Sequence, residues 1–344
     1  MPERATFIVT GGAGFIGSNL VAELSRRYPG SYTIIVDSFR TGSFSNIVHA
    51  HERKHDAPFS GKVIASTAAE VAWDKLVTRT RPNAVFHLGA ITDTTHHDER
   101  EMLRENVGGF RRMLEACCGT AQRPAVPVVY ASSGAVYGSP KEAKLRKAFP
   151  ESAAGRPNNV YGFSKWMMEQ AHARLLHVGA EASQAQLPTI VGLRYFNVFG
   201  PGEGQKGKMA SMAYQLAHQM MANQRPRIFT DGSQSRDQVS VDDVVDCTIA
   251  AAGLDRKVAS GVYNLGSGAL TTFNQIVEAL YEGLGIAPAK LPIDYFHMPD
   301  TVRKFYQDFT LADMSAAKAG LSWQPKHPPR SAMVEYAKWL RANR

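Results

Sequence analysis

Apolar and polar positions along the first 195 residues alternate between two periods. Short β-branched runs predict buried strands, and the amphipathic stretches between them predict helices. The predicted strands are Thr6–Thr10, Tyr32–Val36, Lys62–Ala65, Ala84–Leu88, Val126–Ala131 and Ile190–Tyr195. The predicted helices are Ser18–Arg27, Trp73–Thr80, Glu101–Cys117 and Tyr161–His177. This alternation favours an α/β fold in which a parallel sheet carries helices on both faces.

The regular alternation ends after Tyr195. A glycine-rich loop, NVFGPGEGQKGK, comes next, followed by a predicted helix near Met209–Asn223 and a turn at DGSQSRD. The later predicted elements are helices at Val239–Gly253, Phe273–Gly285 and Arg330–Ala342 and a strand at Gly261–Gly266. The sequence shows no internal repeat and no low-complexity linker. We therefore expect a smaller, mixed α/β lobe that is built from insertions into the first lobe.

The composition is that of an ordinary globular protein. Of 344 residues, 44% are hydrophobic and 20% are charged. No apolar run reaches the length of about 18 residues that a membrane span needs. The N-terminal MPERATFIVTGG runs directly into a predicted strand, so we expect no signal peptide. Three cysteines, two of them adjacent, make a poor disulfide framework, so we expect a cytoplasmic protein with no membrane partner.

The formal charge of +8 has two interpretations. It matches an anionic partner such as a nucleotide sugar, a dinucleotide or RNA, or it belongs to a basic surface with no specific task. The basic residues are dispersed, without a long Lys/Arg run or a basic stripe interleaved with aromatic residues. This distribution argues against nucleic acid as a partner.

Several histidines stand close together in polar segments. They are His49, His51, His55, His96 and His97. No cysteine or carboxylate accompanies them at a recognised ligand spacing. We interpret them as surface-loop residues and expect no metal site.

Gly11, Gly14 and Gly17 directly follow the first predicted strand and open a helix. Glycines at this spacing let the backbone approach a pyrophosphate, whose charge is favoured at a helix N-terminus. Asp37 ends the second predicted strand 20 residues after Gly17, where a carboxylate can bind a ribose hydroxyl. This context predicts a doubly wound, Rossmann-type domain that binds a dinucleotide. We assign that domain to residues 1–195, completed by about 237–265 and 308–323, and a substrate-binding lobe to residues 196–236, 266–307 and 324–344.

These residues leave the choice between NAD and NADP open. Asp37 favours NAD, because a carboxylate repels a 2′-phosphate. Arg40 stands three residues further on. It either neutralises that phosphate or is a solvated loop residue.

Tyr161 and Lys165 stand four residues apart in NVYGFSK and share one face of a predicted helix. A tyrosine hydroxyl titrates near 10 and is too weak a base at neutral pH. A neighbouring ammonium, together with the positive ring of an oxidised nicotinamide, favours the phenolate. Lowering the pKa by about three units takes roughly 4 kcal/mol of differential stabilisation. The pair is therefore a candidate acid/base beside the cofactor.

These residues and several longer motifs resemble the extended short-chain dehydrogenases/reductases of the nucleotide-sugar epimerase group. The motifs cover almost the whole chain and are TGGAGFIGSNL, HLGA, YASSGAVYG, NVYGFSK, RYFNVFGP, RDQVSVDDV and YNLGSG. The resemblance implies that Ser133 is the active-site serine, which hydrogen-bonds the sugar oxygen that loses its proton. It also implies cofactor contacts beyond the glycines and Asp37, namely Phe15, Ile16, Ser38, Arg40, Leu88, Gly89, Ala90, Asn106, Tyr161 and Lys165.

Two segments, NVFGPGEGQKGKMASMA and KFYQDFTLADMSAAKAG, are similar to the narrower family of ADP-glyceromanno-heptose 6-epimerases of lipopolysaccharide core synthesis. The resemblance implies that Lys206 is a second acid/base; the alternative is a loop charge that attracts phosphates. The implied substrate contacts are Thr92, Ser133, Asn197, Val198, Lys206, Lys208, Gln215, Arg236 and Tyr306. Arg236 is expected to grip the nucleotide pyrophosphate bidentately. Lys208 and Gln215 depart from the small polar residue and the histidine usual in that family.

The activity implied is epimerisation by transient oxidation and re-reduction of a nucleotide sugar, with one tightly held NADP or NAD per subunit. A UDP-sugar 4-epimerase of the UDP-glucose/UDP-galactose type is the alternative within this class. A non-catalytic, dinucleotide-sensing regulator is the alternative from another class, although such proteins tend to lack the tyrosine or the lysine. Many relatives pair through the two helices around Glu101–Cys117 and Tyr161–His177, so we expect a homodimer or a larger homo-oligomer.

Overall fold

The computed structural model describes residues 4–55, 58–139, 146–181, 186–299 and 306–343. The strands are β1 (Thr6–Thr10), β2 (Tyr32–Asp37), β3 (Gly61–Ala65), β4 (Ala84–His87), β5 (Val128–Ser133), β6 (Ile190–Tyr195), β7 (Asn197–Phe199), β8 (Arg227–Phe229), β9 (Ser235–Ser240), β10 (Gly261–Leu265), β11 (Leu270–Thr272), β12 (Asp294–Phe296) and β13 (Phe309–Thr310). Seven of them form one parallel sheet in the order β10–β6–β5–β4–β1–β2–β3.

The helices connect these strands and cover both faces of the sheet. They are α1 (Phe15–Arg27), α2 (Phe44–His55), α3 (Trp73–Thr80), α4 (Glu99–Leu103), α5 (Gly109–Cys117), α6 (Val160–Glu181), α7 (Met212–Met221), α8 (Val241–Ala251), α9 (Phe273–Leu284), α10 (Ser315–Leu321) and α11 (Pro329–Ala342). A π-helical turn at Arg104–Gly108 joins α4 to α5.

Neighbouring residues of one strand contribute to two separate apolar layers. Val9 of β1 packs in a cluster with Leu20 of α1 and Val244 of α8. Ile8 points to the opposite face, where its cluster includes Phe110 of α5. All five side chains are fully buried. Because the strands are apolar on both faces, the sheet is enclosed as the sequence predicts, and the doubly wound α/β fold is confirmed.

The order of strands reverses between β1 and β4. From β1 the chain winds outward through β2 and β3, and then returns to β4 and winds the other way through β5, β6 and β10. At such a reversal the connections leave the carboxyl ends of adjacent strands in opposite directions and open a crevice. The fold therefore places a ligand site at the carboxyl ends of β1 and β4.

A second sheet lies outside the seven-stranded one. Strand β9 lies at its centre and pairs with β7, β11 and β13, while β8 and β12 form a separate pair. Helices α7, α9 and α11 pack around their own apolar cluster, which includes Leu216, Ile276 and Met333. We propose that these elements form the substrate-binding lobe.

The structure corrects several predicted elements. The predicted helix Val239–Gly253 is too long at its start, because Val239 belongs to β9 and Ser240 is the N-cap of α8. The predicted turn DGSQSRD likewise contains the first residues of β9. Helices α2 and α10 were not predicted, and α1 begins three residues earlier than expected, at Phe15.

The histidine-rich segment 44–55 is helical, which corrects its interpretation as a surface loop. His51 is 1% exposed, and its Nδ1 lies 2.8 Å from Ile47 O, one turn earlier in α2. Within the described part of the chain, no three His, Cys, Asp or Glu side chains are grouped as a metal site. No helix in that part is long and apolar enough to cross a bilayer.

Candidate active site

The turn after β1 brings backbone segments together where a pyrophosphate is expected. Gly11 has φ +67°, and a Cβ there would lie 2.7 Å from Gly89 N. A Cβ on Gly17 would lie 2.0 Å from Gly11 O, so only glycine permits this approach. The N-cap and first turn of α1 are Gly14, Phe15, Ile16 and Gly17. The N–H groups of a first turn lack intrahelical acceptors and favour an anion, so the turn fits the phosphates of a dinucleotide.

Asp37 ends β2 beside this turn, and two backbone groups fix its carboxylate. Oδ2 accepts a hydrogen bond from Ala13 N at 2.9 Å, and Oδ1 accepts one from Phe39 N at 2.8 Å. Ser38 and Arg40 are exposed in the loop that follows. The buried carboxylate thus stands next to the phosphate turn, where the adenosine ribose of a dinucleotide is expected.

The segment after β4 closes the other side of the crevice. Leu88, Gly89 and Ala90 are half-buried there. Gly89 N donates to Thr10 Oγ1 at 2.9 Å, which joins the carboxyl ends of β4 and β1. These residues therefore line the point at which the strand order reverses.

Asn106 lies in the π-helical turn and is fully buried. Its Oδ1 accepts from Ile91 N at 2.8 Å, and its Nδ2 donates to Ile91 O at 3.0 Å and to Ser164 Oγ at 2.9 Å. The amide is thus bonded to protein groups on two elements. It holds the segment after β4 against the first turns of α6.

Ser133, Tyr161 and Lys165 meet at the carboxyl edge of the sheet. Ser133 ends β5, and the other two lie on adjacent turns of one face of α6. The Ser133 side chain hydrogen-bonds that of Tyr161, and its Oγ accepts from Ala135 N at 3.1 Å. Lys165 Nζ lies 5.9 Å from the centroid of the Tyr161 ring and donates to Ala131 O at 2.7 Å. Ser133, which is distant in sequence, thus forms one cluster with Tyr161 and Lys165.

The ammonium of Lys165 is buried beside an ion pair. Burial lowers the pKa of Lys165 to about 7, and Glu169, one turn further along α6, opposes this change. Arg194 of β6 holds Glu169 through Nε–Oε1 at 2.9 Å and Nη2–Oε2 at 2.7 Å, and Ser132 Oγ donates to Oε1 at 2.5 Å. The side chains of Arg194 and Glu169 are 4% and 3% exposed. A fixed negative charge therefore stands on the helix face that carries Tyr161 and Lys165.

The phenol of Tyr161 is less acidic in the protein alone than the sequence suggested. Burial raises its pKa, and the hydrogen bond from Ser133 lowers it in part. Desolvation disfavours the phenolate, and the Lys165 ammonium donates to a backbone oxygen instead of to Tyr161. The positive ring of an oxidised nicotinamide bound beside Tyr161 would favour its ionisation.

Lys206 reaches the site from the glycine-rich loop after β7. Its Nζ lies 5.7 Å from the centroid of the Phe15 ring in the first turn of α1. Glu203 is fully buried and accepts from Gly200 N at 3.1 Å and from Ser211 N at 2.5 Å, at the two ends of the loop. Burial lowers the pKa of Lys206, and Glu203 opposes this change. One carboxylate thus closes the loop and places Lys206 beside the cofactor turn.

Two further residues of this region are bonded to protein groups. Lys208 Nζ lies 3.5 Å from Asp93 Oδ2, so the Lys206 loop meets the segment after β4, on which Thr92 is exposed. Gln215 of α7 donates to Ala210 O at 2.8 Å and braces the end of the loop. Lys208 and Thr92 therefore lie in two segments that contact each other, whereas the Gln215 amide is directed at the loop backbone.

Of the remaining predicted substrate contacts, Asn197 and Val198 lie on β7, Arg236 lies on β9, and Tyr306 lies in the segment before β13. Arg236 Cζ is 4.9 Å from the centroid of the Tyr306 ring, and burial raises the pKa of Tyr306. Asn197 Nδ2 donates to Asp237 O at 3.0 Å, and Val198 is half-buried beside it on β7. Because β7 and β9 pair, Asn197, Val198 and Arg236 are carried by one small sheet.

The sequence did not single out the carboxylates that support the site. Glu169 follows Lys165 by four residues, as Lys165 follows Tyr161, so the helical period carried a signal for it. Glu203 precedes Lys206 by three residues in the 3₁₀-helical segment Glu203–Met209, and Glu101 contacts Arg40 from another element. No local spacing indicates the second of these contacts.

A dinucleotide turn at the reversal of a parallel sheet, beside a Ser–Tyr–Lys cluster, defines a nicotinamide-dependent enzyme of the short-chain dehydrogenase/reductase class. The family model described as NAD dependent epimerase/dehydratase family matches residues 7–266. The chain belongs to this family. A nicotinamide dinucleotide is therefore its cofactor, and the glycine turn and the oriented Asp37 carboxylate fit that group.

Two relatives and one solved structure that carry the same name are similar to almost the whole chain. ADP-L-glycero-D-manno-heptose-6-epimerase of Cupriavidus pinatubonensis (strain JMP 134 / LMG 1197) is 32% identical, over 97% of this chain and 98% of its own length. The protein of the same name from Alkalilimnicola ehrlichii (strain ATCC BAA-1101 / DSM 17681 / MLHE-1) is 37% identical, over 91% and 90%. The crystal structure of Helicobacter pylori ADP-L-glycero-D-manno-heptose-6-epimerase matches with a TM-score of 0.81 at 31% identity, over 99% of this chain and 97% of that one.

The burial of Lys165 predicts a pH-dependent stability in the cofactor-free protein. Its pKa is about 7 when folded, against about 10.4 in an unfolded chain. Between these values the unfolded state binds more protons, so the free energy of unfolding rises with pH. Lys165→Met removes this contribution, and we expect the wild type to gain stability relative to the variant as the pH rises from about 7 to about 10.

Urea unfolding over that pH range measures the difference. Lys338→Met replaces an exposed lysine and is the matched control. We expect this control to keep the wild-type pH dependence, because an exposed ammonium stays in water in both states. A Lys165→Met difference that does not change with pH would contradict the assignment.

Proposed function

We propose that the protein is a nucleotide-sugar epimerase that converts ADP-D-glycero-D-manno-heptose to ADP-L-glycero-D-manno-heptose for lipopolysaccharide core synthesis. The observation that carries the proposal is that two acid/base candidates, Tyr161 and Lys206, stand on different elements, and that Lys206 lies beside the cofactor turn. Tyr161 approaches on α6 with Ser133 and Lys165, and Lys206 approaches beside Phe15 on the loop after β7. The names of the relatives support the same substrate.

The first proton transfer falls to Tyr161. Ser133 Oγ, already bonded to Tyr161, orients the hydroxyl of the sugar, and Tyr161 removes its proton. In its charged form Lys165, whose Nζ lies 5.9 Å from the centroid of the Tyr161 ring, favours the phenolate. When bound, the nicotinamide dinucleotide supplies the reversible oxidation and reduction of the sugar carbon.

Lys206 has a separate role if the reacting carbon is C6 of a heptose. Turning the oxidised sugar exposes its other face, so the oxygen does not have to return to Tyr161. A second proton donor is then needed, and Lys206 is the candidate. Burial lowers the pKa of Lys206, which favours proton exchange at neutral pH.

The second lobe supplies the substrate contacts in this proposal. The Arg236 guanidinium, stacked near the Tyr306 ring, binds the nucleotide pyrophosphate. Asn197, Val198, Thr92 and Lys208 line the sugar side. Gln215 acts through the loop backbone that it braces.

The two alternative functions fit the candidate site less well than heptose 6-epimerisation does. A UDP-sugar 4-epimerase reacts at a ring carbon and does not need a second acid/base at the position of Lys206. A dinucleotide-sensing regulator does not need the Ser133–Tyr161–Lys165 cluster, all three members of which are present and in contact range. Side-by-side assays with ADP-heptose and UDP-glucose distinguish the 6-epimerase from the UDP-sugar 4-epimerase.

We expect Tyr161→Phe to lower the rate of heptose epimerisation by about 10²–10⁴-fold, the usual contribution of a general acid/base. Proton NMR of the two ADP-heptose epimers measures the rate. Tyr295→Phe, which removes an exposed hydroxyl bonded to Asn274 Oδ1, is the matched control and is expected to keep the wild-type rate. A wild-type rate of epimerisation by Tyr161→Phe would contradict the assignment of Tyr161 as the acid/base.

Lys206→Met distinguishes the two candidate roles of Lys206, a second acid/base or a loop charge that attracts phosphates. Loss of an acid/base lowers kcat and leaves KM for ADP-heptose nearly unchanged, whereas loss of a phosphate-attracting charge raises KM. We expect the fall in kcat, by about 10²-fold or more. Steady-state kinetics with ADP-heptose measure kcat and KM of Lys206→Met. Lys338→Met is the control for a lost surface charge. A rise in KM at constant kcat leaves Lys206 as a substrate-binding charge only.

We propose that the protein is a homodimer joined through α5 and α6. A groove of about 350 Å³ lies between these helices. Leu114, Met167 and Leu175 line it with Val178, which is 50% exposed, and Arg174 and Glu115 lie at the same groove. Apolar residues rimmed by charges of both signs suit a self-complementary interface around a twofold axis.

We expect Val178→Glu to shift the protein towards the monomer, because a carboxylate would be desolvated twice at a twofold interface. Size-exclusion chromatography with light scattering measures the mass. Val48→Glu on α2 changes a valine of the same 50% exposure and is expected to leave the mass unchanged. An unchanged dimer in Val178→Glu would place the interface elsewhere.

We also propose that the enzyme works in the cytoplasm. Its three cysteines, Cys117, Cys118 and Cys247, are free thiols, and two of them are buried. Free thiols persist in a reducing compartment.

A further inference from the structure

A fully buried carboxylate, that of Glu203, closes the loop that carries Lys206, residues 200–211. Glu203 Oε1 accepts hydrogen bonds from Gly200 N at 3.1 Å and from Ser211 Oγ at 2.9 Å, and Oε2 accepts one from Ser211 N at 2.5 Å. Glu203 therefore binds the first and the last residue of the loop at the same time. All three donors are uncharged, so these hydrogen bonds stabilise the negative charge of Glu203 without neutralising it.

The backbone between these two ends is costly to order. Gly202 and Gly207 lie inside the loop and have φ +98° and +52°, conformations that favour glycine. Glycine loses more conformational freedom on ordering than any other residue, so a loop that turns at two of them needs contacts to hold its shape. Gln215 braces one end of the loop, whereas Glu203 joins both ends to each other.

Lys206 follows Glu203 by three residues and feels its charge. Burial lowers the pKa of Lys206, and the carboxylate of Glu203 opposes this change. Two phenols from other elements also face the carboxylate, Tyr214 on α7 and Tyr336 on α11. Burial raises the pKa of both phenols, and the negative charge of Glu203 raises it further. The carboxylate thus stands between the loop and the helices α7 and α11.

We propose that Glu203 is the positioning residue for Lys206. By tying the ends of the loop together, it holds the Lys206 amine beside the Phe15 ring, with Nζ 5.7 Å from the ring centroid. Without the carboxylate the glycine turns can relax, and Lys206 becomes more exposed. Glu203 acts through Lys206 and does not touch the substrate. An effect on turnover rests on the proposed role of Lys206 as an acid/base, whereas the effect on the exposure of Lys206 does not.

Acetylation of the purified protein tests the inference without any turnover. The wild type and Glu203→Gln are treated with N-hydroxysuccinimidyl acetate at a single pH, and peptide mass spectrometry follows the rate at each lysine. Opening of the loop exposes Lys206, and loss of the carboxylate leaves more of its amine deprotonated, so both effects speed the reaction. We expect the rate at Lys206 to rise about tenfold, the equivalent of one lost hydrogen bond to a charged group. The exposed Lys338 is the internal reference, and its rate should not change.

The double variant Glu203→Gln/Lys206→Met shows whether Glu203 acts through Lys206. We expect Glu203→Gln to lower kcat for ADP-heptose. The double variant should have the kcat of Lys206→Met alone, because a positioning residue has no further effect once its target is removed. The matched control is Glu23→Gln, which replaces another buried glutamate, 4% exposed and bonded to arginines of its own helix. It should leave kcat and the acetylation of Lys206 unchanged.

A second variant covers the case in which Glu203→Gln does not fold, which thermal unfolding shows. Ser211→Ala removes the hydroxyl that donates to Oε1 and leaves the carboxylate in place. We expect a smaller rise in the acetylation of Lys206, about twofold to fivefold, within the range for one ordinary hydrogen bond. Because Ser211 is also the N-cap of α7, Ser240→Ala, which removes the N-cap of α8, is its matched control.

Two results would overturn the inference. One is an unchanged rate of Lys206 acetylation in the folded variants of Glu203 and Ser211. The other is a double variant whose loss of kcat is the product of the two single losses, which would mean that Glu203 supports the fold independently of Lys206. If Lys206→Met keeps the wild-type kcat, the proposed acid/base role fails. The acetylation rate alone then decides whether Glu203 positions Lys206.

Discussion

The burial of one positive charge, the ammonium of Lys165, is the constraint on which the site depends. A charge in the protein interior needs a nearby counter-charge, or it is lost by deprotonation. Glu169 supplies that charge from the same helix, and Arg194 fixes the carboxylate bidentately. Removing one member of a buried ion pair such as Arg194–Glu169 lowers the stability by about 3–5 kcal/mol, because the other charge is left uncompensated. This costly pair therefore lies next to Lys165, on the helix that carries the candidate base Tyr161.

Arg194 extends this constraint across the dinucleotide-binding domain. Its Nη1 donates to Tyr137 Oη at 2.8 Å, and Tyr137 Oη donates to Asn264 Oδ1 at 2.6 Å. Asn264 Nδ2 then donates to Phe149 O at 2.7 Å and Asp313 O at 3.0 Å. A continuous path of hydrogen bonds thus runs from α6 past the ends of β6 and β10. Because these groups are buried, the loss of one leaves its neighbours unsatisfied, so the path fixes α6 relative to the segments beyond it.

Prediction from the sequence succeeded where the physical signal was local. Strands β1 and β6 and helix α3 begin and end at the predicted residues, because apolar runs and the helical period are read within one segment. Helix α2 was missed because the histidines of its polar sequence were interpreted as surface-loop residues, although His51 is buried in the structure. The glycine turn and the Tyr161–Lys165 spacing were visible for the same reason. Contacts such as Arg194–Glu169 and Arg40–Glu101 join residues 25 and 61 positions apart and have no local signature.

The charges of the site also explain why the acid/base depends on the cofactor. In the protein alone, burial raises the pKa of Tyr161 and lowers that of Lys165 to about 7, so both side chains move towards their neutral forms. A neutral phenol is a poor base, and an amine whose pKa is lowered favours the phenolate less than an ordinary ammonium does. An oxidised nicotinamide bound beside Tyr161 would add a positive charge, which would favour the phenolate. In the mechanism that we propose, Tyr161 would therefore act as a base when the cofactor is bound in its oxidised form, which is the form that the first half of an epimerisation requires.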